Sequence, residues 1–205
     1  MATTTIDVPT VSAAGTAKGD PEKWILPTIL VATTSILLGA IWDISWHMTI
    51  GRDSLWSPPH LMEQLGAATA GLVCGTYVLW LTFRAPAVSR ARTVRFWGFH
   101  GPLGAWVCIW GAFAMLASVP FDNWWHNAYG LDVAILSPPH TVLMLGVLGI
   151  EFGAILFALA AQNRASAHDV ARYGYAFTFA LGVLTIMGSL ALYEYIGYAN
   201  EWHRS

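Results

Sequence analysis

Two short segments of the chain each carry one aspartate and two histidines at nearly the same spacing. Two imidazoles and one carboxylate with open coordination positions are a known ligand set for non-haem iron, and imidazole-rich sites also suit copper and zinc. The sequence therefore predicts a metal-binding role for six residues. They are Asp43, His47 and His60 in the first segment, and Asp122, His126 and His140 in the second.

The two segments are copies of one another, with one extra residue in the second. Both contain the same residue types at nine matched positions, which is far beyond chance for so short a stretch. Self-similarity of this kind indicates an internal repeat. The matched residues of the first copy are Asp43, Trp46, His47, Gly51, Asp53, Ser57, Pro58, Pro59 and His60; those of the second are Asp122, Trp125, His126, Gly130, Asp132, Ser137, Pro138, Pro139 and His140.

The spacing indicates how helices would position these side chains. Asp43 and His47 are four residues apart, so they share one helix face if the helix continues past Trp42. The sequence Ser-Pro-Pro-His is typical of a helix start, with serine at the N-cap, proline at the first helical position and histidine in the first turn. The positive end of the helix dipole keeps such an imidazole neutral, the form that binds metal. Each copy would thus bring one carboxylate and two imidazoles together.

A purely structural interpretation applies to either copy alone. Asp-x-x-x-His is also an ion pair near a helix end, and Pro-Pro-His is also a capping histidine. Repetition of all three residues at matched spacing favours metal binding over both alternatives.

Other carboxylates near these segments have less specific roles. Glu63 is either a fourth ligand, a hydrogen-bond acceptor that orients an imidazole, or a polar residue near the lipid headgroups. For Asp53 and Asp132 we expect turn formation or the orientation of a ligand in preference to direct ligation. Glu151 falls inside an apolar run, where a carboxylate is a functional candidate in a protein that spans a membrane. Glu194 is flanked by tyrosines and is interpreted as an interfacial anchor.

The elements that carry these residues are apolar. Hydrophobic residues make up 56% of the 205 residues, charged residues 11%, and the net charge is −2. This composition excludes a solvated globular enzyme, a disordered chain and a nucleic-acid binder. Five runs are long enough to cross a bilayer core of about 30 Å as helices. They are Trp24 to Trp42, Leu61 to Phe83, Trp97 to Pro120, Thr141 to Ala161 and Tyr173 to Tyr195.

The predicted fold is an all-α polytopic membrane bundle of five transmembrane helices. Two hairpins in parallel orientation form repeat 1 (about 24–84) and repeat 2 (about 97–161), and a fifth helix (about 173–196) follows. Residues 20–205 form a single transmembrane domain. Residues 1–19 have no apolar periodicity and are predicted to be a disordered tail.

Basic residues predict the orientation in the membrane. Three segments on one side of the predicted bundle carry nearly all of the cations, and the positive-inside rule makes that side cytoplasmic. We therefore expect a multi-pass protein of the inner (cytoplasmic) membrane with a cytoplasmic N terminus and metal sites on the outer, periplasmic side. The cations are Lys18, Lys23, Arg84, Arg90, Arg92, Arg95, Arg164 and Arg172.

The first copy resembles the metal-site segment in the C subunit of particulate methane and ammonia monooxygenases. The resemblance covers about 20 residues, from Trp46-His47-Met-Thr-Ile-Gly-Arg52-Asp53 to Ser57-Pro58-Pro59-His60. That family carries an Asp, three residues, His, twelve residues, His, and a Glu three residues later. Asp43, His47, His60 and Glu63 match this pattern. The resemblance implies a copper site facing the outer side of the membrane.

Two classes of function remain open from the sequence. One is a metal-bearing component of a copper-dependent membrane monooxygenase that oxidises a small apolar substrate or ammonia with dioxygen. The other is a non-catalytic metal-binding or structural subunit of a larger energy-transducing membrane complex, or a metal carrier. Copper is the expected metal, with iron or zinc as alternatives. The expected partners are the lipid bilayer and other membrane subunits or further copies of the chain, and no nucleic acid.

Overall fold

The structure is a computed structural model that describes residues 22–50, 54–129 and 137–193. Within these ranges, five helices are long and apolar enough to cross a membrane. The predicted all-α bundle is confirmed, and the chain is a multi-pass membrane protein. The predicted tail of residues 1–19 lies outside the described residues. The helices are α1 (Glu22–Thr49), α2 (Pro58–Phe83), the short α3 (Ala87–Arg90), α4 (Leu103–Tyr129), α5 (Pro138–Arg164) and α6 (Val170–Tyr193).

Four of the long helices form a ring, and the fifth packs against one side of it. Helix α1 packs on α2, α2 on α4, α4 on α5, and α5 on α1, while α6 contacts α5 and α1. Successive long helices alternate in direction. The C-terminal ends of α1 and α4 therefore lie at the same end of the bundle as the N-terminal ends of α2 and α5. We call this the site end, because it holds all six candidate ligands.

The helices of the first hairpin approach each other closely at small residues. A Cβ atom added to Gly66 of α2 would lie 2.7 Å from Ile36 Cγ1 and 2.8 Å from the carbonyl oxygen of Ala32, both on α1. Nearby, Ser35 Oγ donates to the carbonyl oxygen of Met62 across the same interface, at 3.0 Å. Small residues let helix backbones approach within van der Waals contact in a bilayer, where burial from water supplies no driving force between helices.

The second hairpin repeats this packing at matched positions. Gly146 corresponds to Gly66, and its added Cβ would lie 2.5 Å from the backbone nitrogen of Met115, which corresponds to Ile36. Gly111, which corresponds to Ala32, would meet the carbonyl oxygen of Gly146 at 2.8 Å. The repeat therefore extends from the loops into the helix interfaces.

The start of the third span differs from the prediction. We expected it at Trp97, but residues 94–101 form a β-hairpin of β1 (Val94–Phe96) and β2 (Phe99–Gly101), and α4 begins at Leu103. Trp97 and Gly98 form the turn with φ angles of 48° and 88°. Positive φ at both central residues matches the twist of a two-residue hairpin. The hairpin is itself rich in aromatic residues, so it extends the apolar run and hides the true start of the helix.

Several helices extend beyond the predicted bounds of their spans. Helix α1 continues seven residues past Trp42 to Thr49, and α4 continues past Pro120 to Tyr129. Helix α2 begins at Pro58 and α5 at Pro138, directly after the serines of the two Ser-Pro-Pro-His segments. The spacing of the candidate ligands predicts that α1 and α4 continue past their apolar runs and that α2 and α5 begin after the serines, and the structure has both features.

A groove of about 420 Å³ runs along the seam between α4 and α5 and reaches the β-hairpin. Its walls are almost entirely apolar, and Phe96 of β1 packs edge-on against Trp106 of α4 with ring centroids 5.4 Å apart. The lining residues are Val94, Phe96, Leu103, Trp106, Val107, Trp110, Gly111, Leu145 and Gly149.

Substitution of Gly111 by alanine should destabilise the bundle. The added methyl group would meet the backbone nitrogen of Ile150 at 2.6 Å, and helix backbone cannot move aside as a side chain can. We expect a loss of about 1–3 kcal/mol, typical of overpacking, measured as a lower thermal unfolding midpoint in detergent. The matched control is Gly182→Ala on α6, where nothing lies within 4 Å of the added Cβ. That control should be neutral or slightly stabilising, and equal effects of the two substitutions would refute the packing interpretation.

Candidate metal centre

The first group of candidate ligands meets around the carboxylate of Asp43. Asp43 and His47 lie one turn apart near the end of α1, with His47 Nδ1 3.5 Å from Asp43 Oδ2. His60, in the first turn of α2, places Nε2 3.2 Å from Asp43 Oδ1. One carboxylate therefore contacts two imidazoles from two helices. The side chain of Asp43 is 22% exposed and that of His60 28%.

The second group has the same arrangement around Asp122. His126, one turn later on α4, places Nε2 3.3 Å from Asp122 Oδ2. His140, in the first turn of α5, places Nε2 3.7 Å from Asp122 Oδ1. Each of these four Asp–His contacts joins residues of one hairpin. The structure thus brings the six candidates together as two groups of three.

The tautomer of His60 follows from its neighbour on the other side of the ring. His60 Nδ1 lies 3.0 Å from the carbonyl oxygen of Ser54, and because a carbonyl only accepts, Nδ1 carries the hydrogen. In the neutral ring Nε2 then presents a lone pair to Asp43 Oδ1, which is also an acceptor. Two acceptors at this distance require a cation between them, either a proton on Nε2 or a metal ion.

His47 is oriented in a related way. Its Nδ1 lies 2.9 Å from the carbonyl oxygen of Asp43, one turn back along α1, and donates to it. A histidine that binds metal through one nitrogen commonly donates its other N–H to a backbone carbonyl or carboxylate, which fixes the ring. Both histidines of the first group therefore keep Nε2 as the atom able to bind a metal.

Unsatisfied polar atoms mark both groups. The Oδ1 atoms of Asp43 and Asp122 are buried and have no hydrogen-bond partner in the described part of the chain. Trp46 Nε1 and Ser57 Oγ, next to the first group in sequence, are buried and unpartnered in the same way. A buried acceptor without a donor is costly. Each of these Oδ1 atoms faces the Nε2 atom of the histidine on the next helix, so a proton or a metal ion held there would satisfy it.

The distance between carboxylate and imidazole atoms suits a shared metal ion, but the three side chains of each group are not arranged around one metal position. Two ligand atoms each about 2.0–2.1 Å from a tetrahedral metal lie about 3.4 Å apart, close to the 3.2–3.7 Å of the three Asp–His contacts made by Nε2. Within residues 22–50, 54–129 and 137–193, however, no group of three or more His, Cys, Asp or Glu is arranged to hold a metal. The assignment of metal ligands therefore stays a prediction.

Of the remaining candidate residues, Asp53, Asp132 and Glu194 lie outside the described residues. Glu63 is 8% exposed and packs against α1, where a Cβ added to Gly39 would lie 2.6 Å from Glu63 Cγ. The two residues have counterparts Leu143 and Ser118 in the second half, so this contact is particular to the first hairpin.

Ser54 also belongs to the first group, although it was not among the predicted site residues. Its contribution is a backbone carbonyl, which every residue type supplies, so the sequence carries no signal for it. Other residues of types that can bind metal lie elsewhere. His100 lies in β2 with Nδ1 3.1 Å from Thr93 Oγ1, and Cys74 and Cys108 are fully buried.

Aromatic side chains surround both groups. Trp42 and Trp46 pack edge-on with centroids 6.4 Å apart beside the first group, and Trp125 and Tyr129 lie 4.5 Å apart beside the second. Trp56 is 72% exposed. Clusters of this kind are typical of the interface between lipid and water, which places the site end at a membrane surface.

Comparisons with known proteins give no relative. No protein-family model, no curated protein and no solved structure matches this chain. The function is therefore argued from the site itself.

The two serines that precede α2 and α5 should differ in their effect on stability. Ser137 Oγ accepts from the backbone N–H of His140 at 3.4 Å, whereas Ser57 Oγ makes no capping hydrogen bond and is buried. Ser137→Ala should cost about 0.5–2 kcal/mol through loss of the cap. Ser57→Ala removes an unpartnered buried hydroxyl and should be neutral or stabilising. Thermal unfolding of the purified variants measures both, and an equal loss in each would contradict the assigned caps.

Proposed function

We propose that this chain is a copper-binding membrane protein with two Asp/His/His sites, one at the site end of each hairpin. In the first site the ligands are Asp43, His47 and His60. In the second they are Asp122, His126 and His140. The observation that carries the proposal is the duplicated contact of one carboxylate with two imidazoles from two helix ends, each with an orphaned buried Oδ1.

Chance ion pairing is a poor explanation of this arrangement. A single Asp–His pair at a helix end arises readily, but here both carboxylates contact a histidine on their own helix and another on the next helix. The hydrogen bond from His60 to Ser54 leaves a lone pair facing a carboxylate oxygen, and a metal ion satisfies both atoms at once. The donor sets consist of imidazole and carboxylate, which suits copper, with iron and zinc as the alternatives.

The catalytic form of the proposal is a component of a copper-dependent membrane monooxygenase, in line with the resemblance of the first copy. A bound copper ion would supply the activation of dioxygen. The residues of this chain would hold the ion, and the N–H groups at Nδ1 of His47 and His60 would fix their rings toward it. An apolar substrate or ammonia would reach the site end from the bilayer or the outer compartment. That family works with further subunits, so we expect other membrane chains or further copies of this one as partners.

One observation favours a non-catalytic alternative. Because no described group of three side chains is already arranged around a metal position, binding requires some side chains to turn. A site that closes on its metal only when the ion arrives suits a carrier or a metal-binding subunit that exchanges its ion. Rapid transfer of bound copper to a chelator would support the carrier, and retention would support the oxidase component.

Metal analysis tests the proposal directly. The full chain in detergent is loaded with copper, desalted and assayed by elemental analysis and electron paramagnetic resonance. We expect His60→Ala and His140→Ala each to lose part of the bound copper, and the double variant to lose nearly all of it. His168→Ala is the matched control, because its side chain is 94% exposed in the connection between α5 and α6. Equal copper in the wild type and the folded double variant would refute the proposal.

We further propose that the site end faces the outer side of the inner membrane, since the basic residues of the connections gather at the opposite end. Cysteine labelling with a membrane-impermeant maleimide tests this in intact cells. Trp56, at the site end, and Val88, in α3, are each 72% exposed, and both native cysteines are fully buried. Trp56→Cys should react in intact cells and Val88→Cys only after permeabilisation. The reverse pattern would invert the orientation.

A further inference from the structure

A carboxyl group lies buried in the bundle, away from both candidate metal sites. Glu151 of α5 is 1% exposed, and neither of its carboxyl oxygens has a hydrogen-bond partner among the described residues. It follows His140 by eleven residues and precedes Arg164 by thirteen. At 1.5 Å per residue it lies about 16 Å from the site end and about 20 Å from the other end of α5. Glu151 is therefore near the middle of the membrane.

The side chains around this level are apolar. Ala154 and Ala158, on the same face of α5, belong to a buried cluster that includes Ile29 of α1 and Ala180 of α6. On the side toward the site end, Ile150 belongs to a second cluster with Ala32, Ile36, Ala67, Ala70, Ala112 and Met115. Glu151 follows Ile150 of one cluster and precedes Ala154 of the other. Thr33 of α1 is also buried, and its hydroxyl donates to the carbonyl oxygen of Leu30.

Within the described part of the chain, no lysine or arginine lies near the level of Glu151 in the bundle. The described lysines and arginines all lie at the ends of the helices or in the connections between them, at the end of the bundle opposite the site end. A bare carboxylate in such surroundings is costly enough that the group takes up a proton instead. Buried ionisable groups at this depth are characteristic of proton relays and ion paths.

From this burial, the absence of partners and the position at mid-membrane, we infer that Glu151 is a proton-binding site, a neutral carboxylic acid whose proton exchanges with water. Of the long helices, α6 has the smallest buried face within the described residues, formed by Tyr173, Ala180 and Val183. The rest of its surface would face lipid in a membrane, so exchange requires local opening between helices, which costs least where few residues are buried. The inference is independent of copper and stands or falls separately from the metal sites.

Infrared spectroscopy of the full chain in detergent tests the inference, with glutamate labelled with ¹³C at the side-chain carboxyl. We expect a carbonyl stretching band of a neutral carboxylic acid that responds to the label and moves to lower frequency in D₂O. The band should be lost in Glu151→Gln, which is isosteric and neutral and should therefore fold. If that variant does not fold, Glu151→Asp tests the same assignment. Aspartate carries no label, so an unlabelled acid band should then replace the labelled one.

The matched control is Asp169→Asn in the exposed connection before α6. Hydrogen bonds from His168 and then Ser166 lower the pKa of Asp169, so this carboxyl is ionised and contributes no acid band. The control should leave the labelled band unchanged. A labelled band that persists in Glu151→Gln, or the absence of any such band in the wild type, would overturn the assignment of a neutral acid. A band that never moves in D₂O would overturn exchange with water.

Discussion

The close backbone contact within each hairpin is the constraint on which the rest of the structure depends. In a bilayer, helices satisfy their own hydrogen bonds and associate through packing, so small residues decide how near two helices lie and in which register. Gly66 against Ile36 and Gly146 against Met115 set that register at matched positions of the two halves. With the register fixed, the last turns of one helix and the first turn of the next are brought within reach of each other.

The candidate metal groups follow from that geometry. Each aspartate lies on a helix that continues beyond its apolar run, and each second histidine lies in the first turn of a helix that begins with two prolines. A shift of one residue in the helix contact would carry the imidazole of His60 or His140 away from its carboxylate. The packing at the apolar interface therefore determines the geometry of the polar site end, and it does so in both halves of the repeat.

Much of this could be predicted from the sequence, because the signals are local. Hydropathy gives the five helices, a spacing of four places Asp43 beside His47, and Ser-Pro-Pro-His gives the starts of α2 and α5. The hairpin of residues 94–101 could not be predicted, since Trp97 is an unusual residue for a positive φ angle and its apolar neighbours look like helix. The role of Ser54 could not be predicted for a different reason, because this residue acts through its backbone carbonyl. Whether each set of three closes on one metal depends on side-chain rotation, which spacing does not determine.

The confinement of each group to one hairpin has a consequence for how the protein can diverge. Because each of the four Asp–His contacts among the described residues lies within one hairpin, a substitution in one copy leaves those contacts of the other copy in place. Arg52 and Glu63 of the first copy are replaced by Leu131 and Leu143 in the second, while the aspartate and both histidines persist. The duplication thus places two separable ligand groups on one scaffold, and the surroundings of one group can change while the other group keeps its contacts.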